Sequence, residues 1–279
     1  MRALDKPIIT HSEVLKSCIS NIQDYNLKDR VTNEIDFFYR SSEEYDNKGN
    51  SGKLSEIPII HTVNGNISKE EMRFLYRKLV VKGQPGRVFY DRLLHSSKLC
   101  PMCGYRLSTT LDHFLPKSEY PTYAVDPLNL IPCCTDCNME KGTDVPAGET
   151  EKLHPYYDRV NDQKWLFAEV IYDNGIGFRF KTIKPSVWSS QKYNKVNHHF
   201  HAFGLSELYS IYASQELNDQ AFYLKKLSFE VGSLGVRKQL IEYQKSAEKH
   251  YLNNWKSAMY EALGNSEWFC STGVQEYIV

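Results

Sequence analysis

The sequence predicts an α+β fold, helical at both ends with a short strand and a hairpin between, and three observations predict it. Apolar residues recur three and four positions apart before residue 97 and again after about residue 185, the spacing of amphipathic helices. Two C-x-x-C pairs, Cys100 with Cys103 and Cys134 with Cys137, enclose a short alternating segment that reads as a strand. Trp165 to Tyr172 and Phe178 to Ile183 alternate as well, with Asp173-Asn174-Gly175 between them as a hairpin turn. The chain is therefore expected to divide into a helical region at 1–97, a cysteine-framed module at 98–152, and a hairpin followed by helices at 153–279.

Taken in order, Ser12 reads as the cap of a helix that carries Val14, Leu15, Cys18, Ile19 and Ile22 on one face. A second helix is predicted to include Val31, Ile35, Phe38 and Tyr39, and the polar stretch from Asp46 to Ser55 reads as an exposed loop. Ser68 and Glu71 make a capping box at the head of a third helix, and Pro85 announces a fourth. From Lys69 to Lys98 the cations Lys69, Arg73, Arg77, Lys78, Lys82, Arg87, Arg92 and Lys98 outnumber Glu70, Glu71 and Asp91. Such a stripe suits a phosphate backbone and equally suits a solvated helix face. Arg106 to His113 alternates as a short strand, and the residues after Cys134 are expected to turn helical. Beyond the hairpin, Val187 to Phe203, Leu205 to Leu227 and Val236 to Leu263 read as helices whose apolar stripes serve core or interface. His198, His199 and His201 have no carboxylate or cysteine at ligand spacing and read as packing or surface groups.

Composition sets the outer limits. A chain of 279 residues, 41% hydrophobic and 24% charged, has an ordinary globular balance and room for one large or two modest domains. Lysine plus arginine equals aspartate plus glutamate at 34 each, so any basic surface has to be local. Asp5 and Lys6 stand where a signal peptide needs an apolar core, and no apolar run is long enough to span a bilayer. A cytoplasmic protein with no membrane partner is expected.

The paired cysteines point to structural zinc. Each C-x-x-C gap fits a tight turn that lets two sulfurs converge on one ion at about 2.3 Å, and two such pairs close a tetrahedral site. Cys133 competes with Cys134 for the third position but gives a C-x-x-x-C spacing, so Cys134 is preferred. Cys18, Cys133 and Cys270 have no spacing pattern of their own, which gives no sign of a disulfide framework.

Between the pairs lie Asp112 and His113, and Asn138 directly follows the last cysteine. Two hard oxygen donors suit magnesium or manganese where sulfur suits zinc, so one small fold can carry two metals without confusing them. A histidine that binds no metal is free to take a proton from water.

The Asp112-His113 pair, Asn129 in Asn-Leu-Ile-Pro and the C-x-x-C-N-x-x-K ending resemble the HNH endonucleases, across roughly fifty residues from Lys98 to Lys152. The resemblance implies a zinc-stapled ββα-metal nuclease module, in which a strand pair packs on one helix. It implies that His113 is the general base, that Asp112 and Asn138 bind the catalytic Mg2+ or Mn2+, and that Asn129 holds the histidine in orientation. Lys117 and Lys141 are close enough in sequence to contact phosphate, and His154 in Leu-His-Pro-Tyr-Tyr-Asp could reach the same site. A solvated charge is the competing reading for each lysine, and turn packing for His154. The wider stretch Leu-Asp-His-Phe-Leu-Pro-Lys-Ser-Glu-Tyr-Pro is similar to HNH effectors of prokaryotic antiphage systems of the Septu type, some linked to retrons. That similarity implies a separate ATPase as partner. Hydrolysis of nucleic-acid phosphodiesters, DNA foremost, is the expected activity, with homo-oligomerisation through the long C-terminal helices left open. A zinc-ribbon binding module that cuts nothing and an RNA-cutting toxin are the alternatives. Asp112, His113 and Asn138 separate the first, because a binding module needs no base; the second shares the same site chemistry, which acts on phosphate rather than sugar.

Overall fold

Thr10, rather than Ser12, caps the first helix of the computed structural model. Its hydroxyl accepts from the Glu13 N–H, and the Glu13 carboxylate returns to the Thr10 N–H at 2.7 Å, so two otherwise unpaired donors are satisfied together. The structure describes residues 1–147, 151–173 and 175–276, and it divides into two compact units, Met1–Arg159 and Val160–Val279. Asn174 of the expected hairpin turn, residues 148–150 of the expected module and residues 277–279 lie outside the described residues.

In the first unit, α1 (His11–Ile19) is followed by α2 (Tyr25–Asn33) and α3 (Ile35–Asn50). The single helix expected through Val31 and Tyr39 is two, because Glu34 leaves helical geometry at φ −94 and ψ 7. Tyr39 is 52% exposed and stays outside the core. α3 runs on through Asp46–Asn50, which the sequence reads as loop. Tyr45 and Gly49, one turn apart, face inward, and a Cβ on Gly49 would come within 2.5 Å of the Tyr157 ring. Packing of that face overrides the poor helix propensity of Asp-Asn-Lys-Gly-Asn. A further hairpin, β1 (Thr62–Val63) with β2 (Ile67–Ser68), turns on Asn64-Gly65, whose φ values of 48° and 69° are those a type I′ turn demands.

α4 (Lys69–Val80) starts at the expected Ser68 capping box, and α5 (Arg87–Leu94) follows the expected proline. The strand expected from Arg106 begins only at Thr110, since Leu107 makes an isolated bridge to Leu99 instead. β3 (Thr110–His113) pairs antiparallel with β4 (Leu130–Cys133), and α6 (Thr135–Lys141) follows directly. Leu15, Phe38, Leu75 and Leu79 from the preceding helices share one buried cluster with Leu111, Val125 and Leu130. The helical region and the cysteine-framed segment thus bury their apolar faces together, and β3 is held from the side of α4 and α5.

In the second unit, β5 (Leu166–Tyr172) and β6 (Ile176–Thr182) form the expected antiparallel hairpin. α7 (Ser190–Ala202) leads into α8 (Leu205–His250), which is interrupted at Gly232, where φ is 70°. The Tyr223 hydroxyl lies 3.4 Å from the Gln239 side chain, a pair that a straight helix would separate by about 24 Å. α8 therefore folds back on itself at Gly232, a position whose left-handed φ favours glycine. The helix expected from Val236 to Leu263 is broken before α9 (Trp255–Asn265), with Asn254 as the new cap. Its neighbour Asn253 accepts from the Trp165 and Leu166 N–H groups. Among the described residues, no helix is long and apolar enough to cross a membrane.

Candidate active site

Four buried cysteines come together at one end of the β3–β4 pair. The sulfurs of Cys100, Cys103, Cys134 and Cys137 lie within 4.8 Å of one another, while Cys133, in β4, is outside the cluster. Tetrahedral zinc with about 2.3 Å bonds places sulfurs about 3.8 Å apart, so the four fit one ion. Their backbone surroundings are built for sulfur: the Arg106 N–H donates to Cys103 Sγ and the Cys137 N–H to Cys134 Sγ, both at 3.4 Å. Gly104, at φ 74°, makes the tight return that donates its N–H to the Cys100 carbonyl at 2.7 Å. Hydrogen bonding to Cys100 drives the Cys103 thiol far down, while Cys100 and Cys137 are driven up. Four thiols this close share protons unless a dication replaces them, which is the electrostatic signature of a metal site. Because Cys134 is also the N-cap of α6, the cysteines fix that helix against the strands.

His113 sits at the end of β3 and is 5% exposed. Its Nε2 lies 2.8 Å from the Ala124 carbonyl, a contact that requires the proton on Nε2 and leaves the lone pair on Nδ1. Nδ1 has no hydrogen-bond partner among the described residues. Burial, reinforced by the Lys117 charge, lowers the His113 pKa to about 3, so the ring is neutral near pH 7. Its edge meets the Tyr76 ring of α4 at 4.5 Å between centroids.

Asp112 is 6% exposed and faces Lys141, whose ammonium is 3.2 Å from Oδ2 and also donates to the His113 carbonyl at 2.6 Å. Burial raises the Asp112 carboxyl, and Lys141 pulls it back. Lys141 is itself only 3% exposed, with its ammonium held between Asp112 and the His113 carbonyl. Lys117 is half-buried, with its ammonium 5.0 Å above the Tyr76 ring. Asn138 is half-buried on α6, three residues before Lys141 and so on the same helix face.

Asn129 is fully buried and spends its whole amide on the loop after β3. Its Oδ1 accepts from the Leu115 N–H at 2.7 Å and the Tyr45 hydroxyl at 3.0 Å; its Nδ2 donates to the carbonyls of Leu115 and Tyr123. The carbonyl that meets His113 belongs to the next residue, Ala124, and Asn129 makes no direct contact with the histidine. His154, also fully buried, accepts from the Tyr156 N–H on Nδ1, which leaves Nε2–H to meet the Tyr45 hydroxyl at 3.2 Å. It packs 4.2 Å from Phe114. Replacing Asn129 with alanine leaves the buried Leu115 N–H and carbonyl unpaired, while the Tyr45 hydroxyl keeps His154 and the Tyr123 carbonyl keeps the Asp126 N–H, and a loss of about 2–5 kcal/mol is expected in denaturant unfolding. A loss below about 1 kcal/mol would show that the loop is held otherwise.

With this geometry in place, the comparisons with known proteins are informative. Protein ea31 of Escherichia phage lambda is 30% identical over 292 aligned residues, which cover 96% of this chain and 99% of that protein. The chain belongs to the Ea31 family. The Septu protein PtuB of Bacillus thuringiensis is 42% identical over 53 residues, 17% of this Ea31 relative and 21% of PtuB. No family model and no solved structure matches.

Sequence reasoning missed three contributors to this site in the Ea31 relative: Tyr76, Tyr45 and the Ala124 carbonyl. The first two come from helices far from the cysteines in sequence, and neither carries a local motif. The carbonyl has no side-chain signature at all.

Proposed function

We propose that this protein is a metal-dependent HNH nuclease that hydrolyses nucleic-acid phosphodiesters, DNA foremost, as the effector of an antiphage defence system. The observation that carries the proposal is the state of His113: neutral, with its proton fixed on Nε2 by Ala124 and its Nδ1 lone pair unengaged. A group in that state can accept a proton from an attacking water. Tyr76 and the Ala124 carbonyl fix the ring, so its orientation is set before substrate arrives. Asp112, which already meets the Lys141 ammonium through Oδ2, offers with the Asn138 amide hard oxygen donors that fit magnesium or manganese. Held there, such an ion would supply charge neutralisation at the phosphoryl and leaving oxygens. Lys117 is the cation left to meet a phosphate, since Lys141 is committed to Asp112. Zinc in the four-cysteine cluster holds α6, and with it Asn138, against β3.

The likeness to Septu protein PtuB supports the defence role. Incubation with plasmid, single-stranded DNA and RNA, with magnesium or manganese supplied or withheld, tests the activity. Ion-dependent cutting of DNA is expected; cutting of RNA alone would favour a toxin, and no cutting of any strand would favour a zinc-ribbon binding module.

A separate ATPase partner belongs to the same proposal. Phe222, Phe229, Val231 and Leu234 stand between 71% and 83% exposed, apart from Val231 at 56%, around the Gly232 turn of α8, and they support a docking role for it. Co-purification from the native host is expected to recover that partner, and a lone monomer would remove the idea.

A further inference from the structure

We infer that α4 (Lys69–Val80), which lies outside the cysteine-framed module, is the element that grips the phosphodiester backbone and leads it to His113; this rests on the nuclease reading of that histidine. At 3.6 residues per turn, Tyr76, Lys69, Arg73 and Arg77 fall within an arc of about 100°, beside the buried arc of Met72, Leu75 and Leu79. Tyr76 therefore stands at the border, in ring contact with His113 and with the Lys117 ammonium 5.0 Å above its own ring.

Those cations have no counter-charge. Among the described residues no carboxylate pairs with Lys69, Arg73 or Arg77, although two glutamates share the helix. Glu71 is taken by Arg30 at 2.5 Å, and Glu70 is exposed on the first turn. Arg77 lies over the Phe74 ring at 5.6 Å. Arg73 is near enough to Lys117 that its charge adds to burial in lowering the Lys117 ammonium. Asp112 acts on the Lys117 ammonium in the opposite sense and more strongly than Arg73, and it is shared with Lys141. Positive groups gathered this way repel one another until an anion enters, and the line Arg77–Arg73–Lys117 ends at the Tyr76–His113 contact. Successive cations one turn apart rise by about 6 Å along the helix, so they address repeated charges on a polymer better than one small anion. That regular rise matches the sugar-phosphate backbone as the partner chemistry.

The test is binding, not cleavage, and so does not depend on whether His113 is a base. Fluorescence anisotropy of labelled duplex DNA, single-stranded DNA and RNA would be followed across a salt series with the zinc-loaded full chain and no added magnesium. With Lys69→Gln, Arg73→Gln and Arg77→Gln combined, the slope of log K against log salt is expected to fall by about 2–3 for the strand that binds. Arg77→Gln alone, at an exposed position that cannot threaten the fold, should lower it by about 1, with weakening uniform across sequences. The strand showing the effect identifies DNA or RNA as the substrate. Unchanged affinity and parallel salt plots for all three strands in both variants would overturn the inference. Equal cutting by wild type and His113→Ala would instead overturn the nuclease reading and leave the salt result standing.

Discussion

Cys103→Ser or Cys134→Ser is expected to abolish stoichiometric zinc and to unfold the segment around β3, β4 and α6. Structural zinc contributes about 10 kcal/mol or more to folds of this size, comparable to the whole net stability of a domain. The loss should spread, because Leu111 and Leu130 of the strand pair are buried in the same cluster as Leu15 and Leu75 of the helices. Cys133→Ala provides the contrast. That thiol is buried in β4 but outside the four-sulfur cluster, so the variant should keep its metal. Metal analysis and thermal melting, run on the three variants side by side, check the prediction. A folded and zinc-free wild type, or loss of zinc in Cys133→Ala alone, would contradict it.

The second large effect separates the ion from the base. Asp112→Asn and Asn138→Ala should weaken the catalytic ion, so that raising magnesium or manganese recovers part of the lost cleavage. Asparagine is the right change at Asp112, because its amide oxygen can still accept from the enclosed Lys141 ammonium, which alanine would leave with no side-chain acceptor there at a cost of about 3–5 kcal/mol of folding stability unrelated to the ion. His113→Ala should respond to no concentration of either ion. Identical ion titrations for all three variants would mean that these residues do not divide the work as proposed.

Much of the four-sulfur site was legible in the sequence because two C-x-x-C pairs fix ligand number and turn geometry locally. The spacing also chose Cys134 over Cys133. The Ser68 capping box and the β5–β6 alternation were legible for the same reason, since each depends on neighbours a few residues away. What escaped was settled by distant contacts. Asp46–Asn50 looks like a loop until Tyr157 closes on Gly49. Lys141 reads as a phosphate contact or a solvated charge, and no local signal announces that α6 turns it onto Asp112. The Tyr45 and Phe114 rings around His154 come from far along the chain or from no motif of their own, so its burial had no local signal either. The Asn64-Gly65 turn, by contrast, had a clear local signal, a dipeptide suited to positive φ at both positions.

The most direct measurement is the rate at which wild type and His113→Ala, matched for zinc content, cut plasmid DNA with magnesium or manganese present. At pH 7 the variant should be at least about 10²-fold slower, the usual scale of a general base. Raising the pH should recover part of that loss, because hydroxide substitutes for a missing base but not for a missing ion. Cleavage by His113→Ala at the wild-type rate would contradict the account and leave the four cysteines as the frame of a binding module.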